Sequence, residues 1–332
     1  MSLGDIDSRI QGRCLYLTDN YGRTINYLRV SVTDLCQFRC SYCIPEEGIK
    51  QLDHRELLSL EEIYTVIREF TMLGVDKVRF TGGEPLVRKG ILGLIESVSR
   101  LEKIKDIAMT TNGALLEQMA KPLKKNGLQR VNISIDTLNE KKFREVTRTG
   151  QLSDVIKGIE AAKKEGLGVK FNVVLMKDFN DDEIEDLIEL TKIYDADVRF
   201  IELMPIGDNQ SYAKAHFMPC EDILKRIDLR PLISDDPHAP TKYYRYGNAP
   251  GRVGFITAMS SHFCGDCNRM RLTSDGKLKP CLHTNKEIDL RNAIRNSENL
   301  GDIIKSAIKS KPEKHYLLEN QIIDRGMSRI GG

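Results

Sequence analysis

Residues 36–43 read Cys-Gln-Phe-Arg-Cys-Ser-Tyr-Cys, and residues 81–85 read Thr-Gly-Gly-Glu-Pro. The first stretch follows a strand-like segment at 28–33, and its cysteines have the spacing Cys-x3-Cys-x2-Cys. The second follows another strand-like segment at 77–80, after an intervening helical pattern. A strand, a helix and a second strand are typical of a βα unit in a parallel sheet. The two stretches therefore predict both the first unit of the fold and its first site.

Strand-like and helix-like segments alternate onward to about residue 204. The helix between the first two strands has a predicted capping box, Ser59 with Glu62, and a stop at Gly74; Asn180 and Glu183 predict a second capping box. Further strands are predicted at 105–110, 130–136, 168–176 and 197–203, and further helices at about 90–101, 115–126, 153–165 and 182–194. Repeated βα units favour a parallel sheet, either doubly wound or closed towards a barrel.

Polar and apolar side chains alternate along the predicted strands. The polar ones are Arg29, Ser31, Thr33, Arg79, Thr81, Asn132, Ser134, Asp136, Lys170 and Asn172. An antiparallel sheet with one face in water would also alternate in this way. Because helices between the strands must cover the apolar face, we favour a barrel whose polar face lines a shared interior cavity.

The composition excludes several classes of protein. The 332 residues include 50 Lys and Arg against 48 Asp and Glu, a formal net charge of +2, which argues against a disordered chain and against nucleic-acid binding. We find no signal-peptide pattern and no apolar run near the ~20 residues of a membrane span, so we expect a cytoplasmic protein without a membrane partner. Eight cysteines are too few for a disulfide scaffold of this length, and six of them form two clusters, which favours metal binding.

Each cysteine cluster offers three thiolates. Three close thiolates suit a soft metal or an iron–sulfur cluster, and a [4Fe–4S] cluster on three cysteines keeps one iron open for a small molecule. The second cluster, Cys264-x2-Cys267-x13-Cys281, could instead be a zinc ribbon with His262 or His283 as the fourth ligand. The remaining cysteines, Cys14 and Cys220, are interpreted as incidental.

The pattern of the chain changes after about residue 205. Residues 207–240 are predicted to be irregular, followed by strands at 241–246 and 252–258 and helices at 286–297 and 300–310. We therefore expect an N-terminal segment at 1–27, a barrel core at 28–205 and a C-terminal region at 206–332 that carries the second cysteine cluster. Arg269 and Arg271 follow that cluster on one side of a strand, which suits an anionic substrate, although a solvated basic strand edge would look the same.

The first cysteine triplet, with Tyr42 before its last member, resembles the signature of the radical S-adenosylmethionine (SAM) superfamily. Residues 81–85 resemble that superfamily's glycine-rich motif. Within it, nearly the whole chain is similar to the GTP 3′,8-cyclase family of molybdenum cofactor biosynthesis. The likeness rests on residues 28–34, 79–86, 110–113, 132–136 and 200–204, the second triplet with residues 268–272, and the terminal Gly331-Gly332.

The resemblance implies an α/β fold, a partial (incomplete) TIM-type βα barrel of the radical SAM class with a C-terminal cluster-binding extension. It implies two [4Fe–4S] clusters and SAM as cofactors, the SAM cluster on Cys36, Cys40 and Cys43 and the auxiliary cluster on Cys264, Cys267 and Cys281. Reductive cleavage of SAM would give a 5′-deoxyadenosyl radical that removes the ribose 3′-hydrogen of GTP. Attack of the C3′ radical on guanine C8, then one electron and one proton, would give 3′,8-cyclo-7,8-dihydro-GTP.

The resemblance also implies roles for individual residues. SAM would contact Tyr42, Gly83, Ser134 and Met204, and GTP would contact Arg29, Arg79, Thr110, Lys170, Arg269 and Arg271. Arg269, Arg271 and the tail glycines Gly331 and Gly332 would act in catalysis, the tail reaching the site because it has no side chains to clash. No motif surrounds His54, His216 or His238, and we expect these residues at the surface or in loops. Arg148 is expected either at the surface or at the mouth of the cavity.

The implied partners are GTP, an electron donor of unknown identity and a following cyclic pyranopterin synthase that takes the product, with the enzyme a monomer or a homodimer. Two alternatives remain open from the sequence. One is another radical SAM enzyme with an auxiliary cluster, such as a peptide modifier, although the C-terminal region leaves little room for peptide recognition. The other is a binding protein with structural zinc sites.

Overall fold

The computed structural model describes residues 17–233, 238–261, 263–315 and 323–331, so Cys14, His262 and Gly332 lie outside the described residues. The strands are β1 Tyr27–Ser31, β2 Lys77–Thr81, β3 Asp106–Thr111, β4 Arg130–Ser134, β5 Gly168–Leu175, β6 Asp197–Glu202, β7 Arg230–Pro231, β8 Lys242–Arg245, β9 Val253–Ile256, β10 Arg269–Leu272, β11 Lys277–Lys279 and β12 Ile288–Asp289. The helices are α1 Leu60–Met72, α2 Ile91–Ser99, α3 Leu116–Lys125, α4 Glu140–Thr147, α5 Leu152–Lys164, α6 Ile184–Ile193, α7 Gln210–Ala215, α8 Glu221–Arg226, α9 Leu290–Arg295, α10 Leu300–Lys309 and α11 Met327–Ile330.

These strands form one sheet in the order β12-β11-β10-β1-β2-β3-β4-β5-β6-β9-β8-β7. The eight strands from β10 to β9 in this order run parallel, and the flanking strands at both ends are antiparallel. Within the described residues β12 does not pair with β7, so the barrel stays open. The predicted partial βα barrel is thus confirmed, and the alternative of an antiparallel sheet with one wet face is wrong.

The apolar positions of the strands are covered by helices, as the alternation predicts. Leu28 and Val30 of β1, Phe80 of β2 and Phe171 of β5 are fully buried. They belong to the same core as the apolar side of α1, whose start has the capping box of Ser59 and Glu62. The opposite, polar face of the sheet is therefore turned towards the barrel interior.

The C-terminal strands belong to the same sheet as the barrel core. β9 pairs with β6 and β10 pairs with β1, so residues beyond 205 flank the barrel on both sides. The division of the chain into three parts stays a prediction. None of the described helices has the length and apolar character needed to cross a membrane.

Two local expectations are wrong. Asn180 does not cap α6; its side-chain amide donates to the carbonyls of Asp136 and Val174, and Glu183 accepts from Thr137 and Leu138 instead. The region 207–240 contains the short helices α7 and α8, and α4 was not predicted. These helices are only six to eight residues long, too short for a clear period in the sequence.

Gly158 and Gly93 offer a matched test of helix packing. A Cβ at Gly158 in α5 would lie 2.2 Å from the carbonyl oxygen of Gly113, whereas a Cβ at Gly93 in α2 would meet nothing within 4 Å. We expect Gly158→Ala to lower the free energy of unfolding by about 2 kcal/mol or more, because the helix must move. Gly93→Ala should raise it by about 0.5–1 kcal/mol through helix propensity. Urea unfolding of both variants measures this, and equal effects would contradict the packing argument.

Candidate active site

A cavity of about 550 Å³ occupies the barrel interior and is lined by most of the predicted site residues. All six cysteines of the two triplets reach it: Cys36, Cys40, Cys43, Cys264, Cys267 and Cys281. So do the residues predicted to contact SAM and GTP: Tyr42, Gly83, Ser134, Met204, Arg29, Arg79, Thr110, Lys170, Arg269 and Arg271. Their individual roles stay predictions, but the fold brings them to one enclosed space.

The two triplets lie at opposite ends of the parallel strands. The first follows the carboxyl end of β1, whereas Cys267 precedes β10, whose Arg269 pairs with Tyr27 at the amino end of β1. Cys281 returns to that same end because β11 runs antiparallel to β10. A molecule held in the middle of the barrel would therefore lie between the two triplets.

Three arginines cross the middle of the barrel in one row. The strand register places Arg271 of β10 opposite Arg29 of β1, and Arg29 opposite Arg79 of β2. Burial and the neighbouring arginines Arg271 and Arg79 hold the pKa of Arg29 well below its ordinary value. Neighbouring buried cations repel one another unless an anion lies among them, so this row, hereafter the arginine row, is suited to a multiply charged anion.

The loop of the first triplet rests on the end of α4. The backbone N–H groups of Arg39 and Ser41 donate to the carbonyls of Thr147 and Val146. Arg148, which has a positive φ of 62°, donates from Nη1 to the carbonyls of Arg39 and Ile44, at 2.9 and 3.1 Å. Arg148 thus stabilises the loop of the first triplet through these two hydrogen bonds, and it does not line the cavity.

The glycine-rich motif packs against the same loop. A Cβ on Gly83 would lie 2.4 Å from the carbonyl oxygen of Leu35, so only glycine fits there. Glu84 donates its backbone N–H to Leu35, and its carboxylate accepts from Leu86, Thr111 and Asn112. Burial raises the pKa of Glu84 to about 7. The motif therefore fixes the carboxyl end of β2 beside the first triplet.

Tyr42 is held at both ends within the first triplet. Its hydroxyl donates to Asp136 Oδ2 at 2.7 Å, and its carbonyl accepts from the Asn209 side chain at 2.6 Å. Met204 lies close by, since its carbonyl is 3.4 Å from the same Asn209 nitrogen. Asn209 thus links the predicted SAM contacts Tyr42 and Met204.

The second triplet has a cationic surrounding. Burial alone would raise the pKa of Cys267, but Arg269 and Lys311 reverse this and lower it to about 6. Lys311 also donates to the carbonyls of Arg269 and Pro280, which are close in sequence to Cys267 and Cys281. A thiolate is the form in which cysteine binds a metal, so these cations favour metal binding at this end.

Of the two histidines proposed as a fourth zinc ligand for the second triplet, only His283 belongs to the described residues. Among the described residues, no three His, Cys, Asp or Glu side chains are grouped to hold a metal ion. His283, one of the proposed fourth ligands, packs its ring on His315 and places Nε2 3.3 Å from the sulfur of Met204. The three thiols of each triplet face one cavity, which suits an iron–sulfur cluster held by three cysteines.

The C-terminal segment, residues 323–331, enters the barrel between the arginine row and the first triplet. The carbonyl of Gly331 accepts from Arg271 Nη1 at 2.8 Å. Gly331 has a φ of +80°, and a Cβ there would lie 2.4 Å from Thr81 Oγ1. Met327 and Ser328 line the cavity. The predicted approach of the tail is thus seen for Gly331, while Gly332 lies outside the described residues.

Several cavity residues were missed at the sequence level. Arg199 on β6 lines the cavity and donates to Asn132; it alternates with Val198 and Phe200, so the strand pattern could have found it. Tyr27, beneath the guanidinium of Arg79, and His238 also line the cavity. No sequence signal marks His238, which reaches the cavity from a loop.

Of the residues predicted to have no role in the site, Cys220, His54 and His216 lie away from the cavity, whereas His238 lines it. Cys220 is buried with its thiol 3.9 Å from the Phe200 carbonyl, and burial raises its pKa well above the ordinary value. His54 is exposed, and His216 is bonded to the Lys177 carbonyl on the outside of the barrel. Cys14 lies outside the described residues.

Comparison with known proteins places the chain among radical SAM enzymes. Residues 30–191 match the family model of the radical SAM superfamily, and residues 196–317 match the model Molybdenum Cofactor Synthesis C. A solved structure of Streptococcus suis SuiB bound to S-adenosylmethionine has a TM-score of 0.59 at 15% identity, covering 86% of this chain and 68% of that one. This likeness shows the shared fold alone.

Curated relatives match over nearly the whole chain. GTP 3′,8-cyclase of Alkaliphilus oremlandii is 54% identical over 320 residues, which are 95% of this chain and 100% of the relative. GTP 3′,8-cyclase of Alkaliphilus metalliredigens is 51% identical over 321 residues, with the same coverage. Together with the two family models, these relatives show that the chain belongs to the GTP 3′,8-cyclase family of radical SAM enzymes.

Proposed function

We propose that this chain is a GTP 3′,8-cyclase, which converts GTP into 3′,8-cyclo-7,8-dihydro-GTP in the first step of molybdenum cofactor biosynthesis. The observation that carries the proposal is the arginine row, Arg271, Arg29 and Arg79, in the middle of a barrel with a cysteine triplet at each end. A nucleotide triphosphate bound to this row would lie between two metal clusters. No binding protein with structural zinc would need that arrangement.

The two triplets are the proposed ligands of two [4Fe–4S] clusters, each with one iron that no cysteine binds. When bound, the first cluster and SAM together supply the 5′-deoxyadenosyl radical that removes the ribose 3′-hydrogen of GTP. Gly83, which packs directly on the backbone of the first triplet's loop, would contact the methionyl end of SAM. Tyr42, Ser134 and Met204 would hold the rest of the molecule, with Tyr42 and Met204 both fixed by Asn209.

The triphosphate of GTP carries roughly four negative charges, which several arginines can neutralise through paired hydrogen bonds. Arg29, Arg79 and Lys170 are the proposed partners, with Thr110 as a neutral one. Lys170 is held in place by Asp197, whose oxygen is 2.8 Å from its Nζ, and Asp197 also pairs with Arg252. Burial would raise the pKa of Asp197, but Arg252 and Lys170 lower it to about 2, so the carboxylate stays charged.

The guanine end of GTP is proposed to face the second cluster. Arg269 lies beside that triplet, with its guanidinium 4.9 Å from the centre of the Phe263 ring. Arg271 connects this end with the Gly331 carbonyl. These residues would orient C8 towards the C3′ radical.

The reaction also implies partners. The cleavage of SAM consumes an electron, so we propose an external electron donor for the clusters. A following cyclic pyranopterin synthase is the proposed recipient of the product, and the enzyme is proposed to act in the cytoplasm as a monomer or a homodimer. Nucleic-acid and membrane partners are not part of the proposal.

The test is an anaerobic assay of reconstituted protein with GTP, SAM and dithionite. We expect 3′,8-cyclo-7,8-dihydro-GTP and 5′-deoxyadenosine to form together, with about eight iron atoms bound per chain. Omission of GTP should remove the cyclised product. Cleavage of SAM that is indifferent to GTP, or stoichiometric zinc without sulfide, would contradict the proposal.

A further inference from the structure

Arg325 lies outside the cavity and was singled out neither by the sequence nor by the proposed mechanism. Its guanidinium contacts two carboxylates at once. Nε and Nη2 donate to Glu287 at 2.8 and 2.7 Å, and Nη1 and Nη2 donate to Asp275 at 3.1 Å each. All three side chains are at most 20% exposed. The geometry is that of a planar fork held from two sides, which only arginine can form.

The two carboxylates are themselves fixed on the C-terminal strands. Asp275 accepts from Thr273 at the turn between β10 and β11, and Glu287 pairs with the buried Lys279 of β11. Burial would raise the pKa of both acids, but bonds from Thr273 and Arg325 lower the pKa of Asp275, and Arg325 lowers that of Glu287. Arg325 is therefore anchored to the same strands that carry Arg271 and the second triplet.

The chain that follows Arg325 has little freedom. Gly326 touches Gly207, where a Cβ would lie 2.7 Å from the Cα of Gly326. Arg329 donates to the carbonyl of Lys50 in the loop after the first triplet, at 2.5 Å. α11 then ends at Ile330, and Gly331 caps it by donating its N–H to the carbonyl of Met327. Arg325 is thus the first of several contacts that together hold Gly331, six residues later, in place.

We propose that Arg325 is a positioning residue for the cyclisation. Its hydrogen bonds to Asp275 and Glu287 fix the place where the C-terminal segment enters the barrel, and with it the hydrogen bond between the Gly331 carbonyl and Arg271. The inference rests on the proposed function, since it assumes that this meeting orients GTP. Arg325 touches no substrate itself. It acts through the tail backbone, and a shift of about 1 Å at a reacting group is enough to cost a large part of the rate.

The test compares Arg325→Gln and Arg325→Lys with a matched control, Arg295→Gln. Arg295 also bonds one carboxylate, Glu62, with two N–H groups, but it lies on α9, away from the cavity. Hydrogen–deuterium exchange of the C-terminal peptide is measured first, on protein before addition of SAM or GTP. We expect Arg325→Gln to speed exchange of the Gly331 amide roughly 10-fold, since the segment opens more often, and Arg295→Gln to leave it unchanged.

Turnover is then measured on protein with equal iron content. Arg325→Gln should lower kcat for cyclisation roughly 10- to 100-fold and release more 5′-deoxyadenosine per product, because the radical forms while GTP is misaligned. Arg325→Lys should recover part of both effects, since it keeps the charge but not the fork. Unchanged exchange, or unchanged product per 5′-deoxyadenosine, in Arg325→Gln would overturn this inference alone. Absence of cyclised product from the unaltered protein would overturn the proposed function.

Discussion

Replacement of Arg271 by alanine is expected to lower the rate of cyclisation by roughly 100-fold or more, the cost of removing one preorganised donor from an enclosed site. Arg271 is buried in the middle of the cavity, where it extends the row of Arg29 and bonds the Gly331 carbonyl. Its loss removes a positive charge from the arginine row, where GTP is proposed to bind, and the hydrogen bond to the Gly331 carbonyl. The measurement is product formation under anaerobic conditions, with iron and sulfide content determined on the same sample.

The matched control is Arg245→Ala. Arg245 lies on β8 and bonds two backbone carbonyls, those of Ala249 and Pro250, but it does not line the cavity. It should cost some stability and leave turnover within a factor of about two. If Arg271→Ala retained near-normal turnover, or lost activity only in proportion to lost iron, the proposed role of Arg271 would be refuted.

Substitution of Gly331 by alanine should abolish most of the cyclisation while both clusters still assemble. The added Cβ would lie 2.4 Å from Thr81 Oγ1 and 2.9 Å from the Cβ of Ser31, so the tail must withdraw from the barrel. Withdrawal breaks the bond to Arg271. We expect a loss of roughly 100-fold in kcat with iron content unchanged, because all six proposed cluster cysteines lie outside the C-terminal segment.

Gly22→Ala is the control that separates the steric clash of the added Cβ from the backbone strain of a positive φ. Gly22 has a φ of +78°, close to the +80° of Gly331, but a Cβ there would meet nothing within 4 Å. It should lose about 1 kcal/mol of stability through backbone strain and keep its activity. Equal turnover of Gly331→Ala and the unaltered protein would show that the tail has no part in the reaction.

Much of the fold was predictable because it rests on local periodicity. The helix from Ser59 and the strands from β1 to β6 follow apolar spacing of 3.6 and 2 residues, and both periods depend only on the backbone. The failed capping prediction has a tertiary cause. Asn180 and Glu183 match the capping pattern, yet tertiary partners, Asp136 and Thr137, take their hydrogen bonds.

The candidate site was predictable in its residue types and less so in its arrangement. The two cysteine triplets, Arg29, Arg79 and Lys170 were identified from motifs, resemblance and strand alternation. Arg199 follows the same alternation and was overlooked. Arg148 and Arg325 carry no signal, because each acts through bonds to residues far away in sequence: Arg148 to Arg39 and Ile44, and Arg325 to Asp275 and Glu287.

The sequence by itself determined the parallel βα units, the two thiolate triplets and the family, because spacing and residue type are local properties of the chain. Only the tertiary structure decided that the triplets lie at opposite ends of one cavity, since this follows from the parallel pairing of β10 with β1, residues more than 240 apart. It also decided the arginine row and the entry of Gly331 beside Arg271. Strand register and the docking of a chain end are set by contacts between distant segments, and no local pattern encodes them.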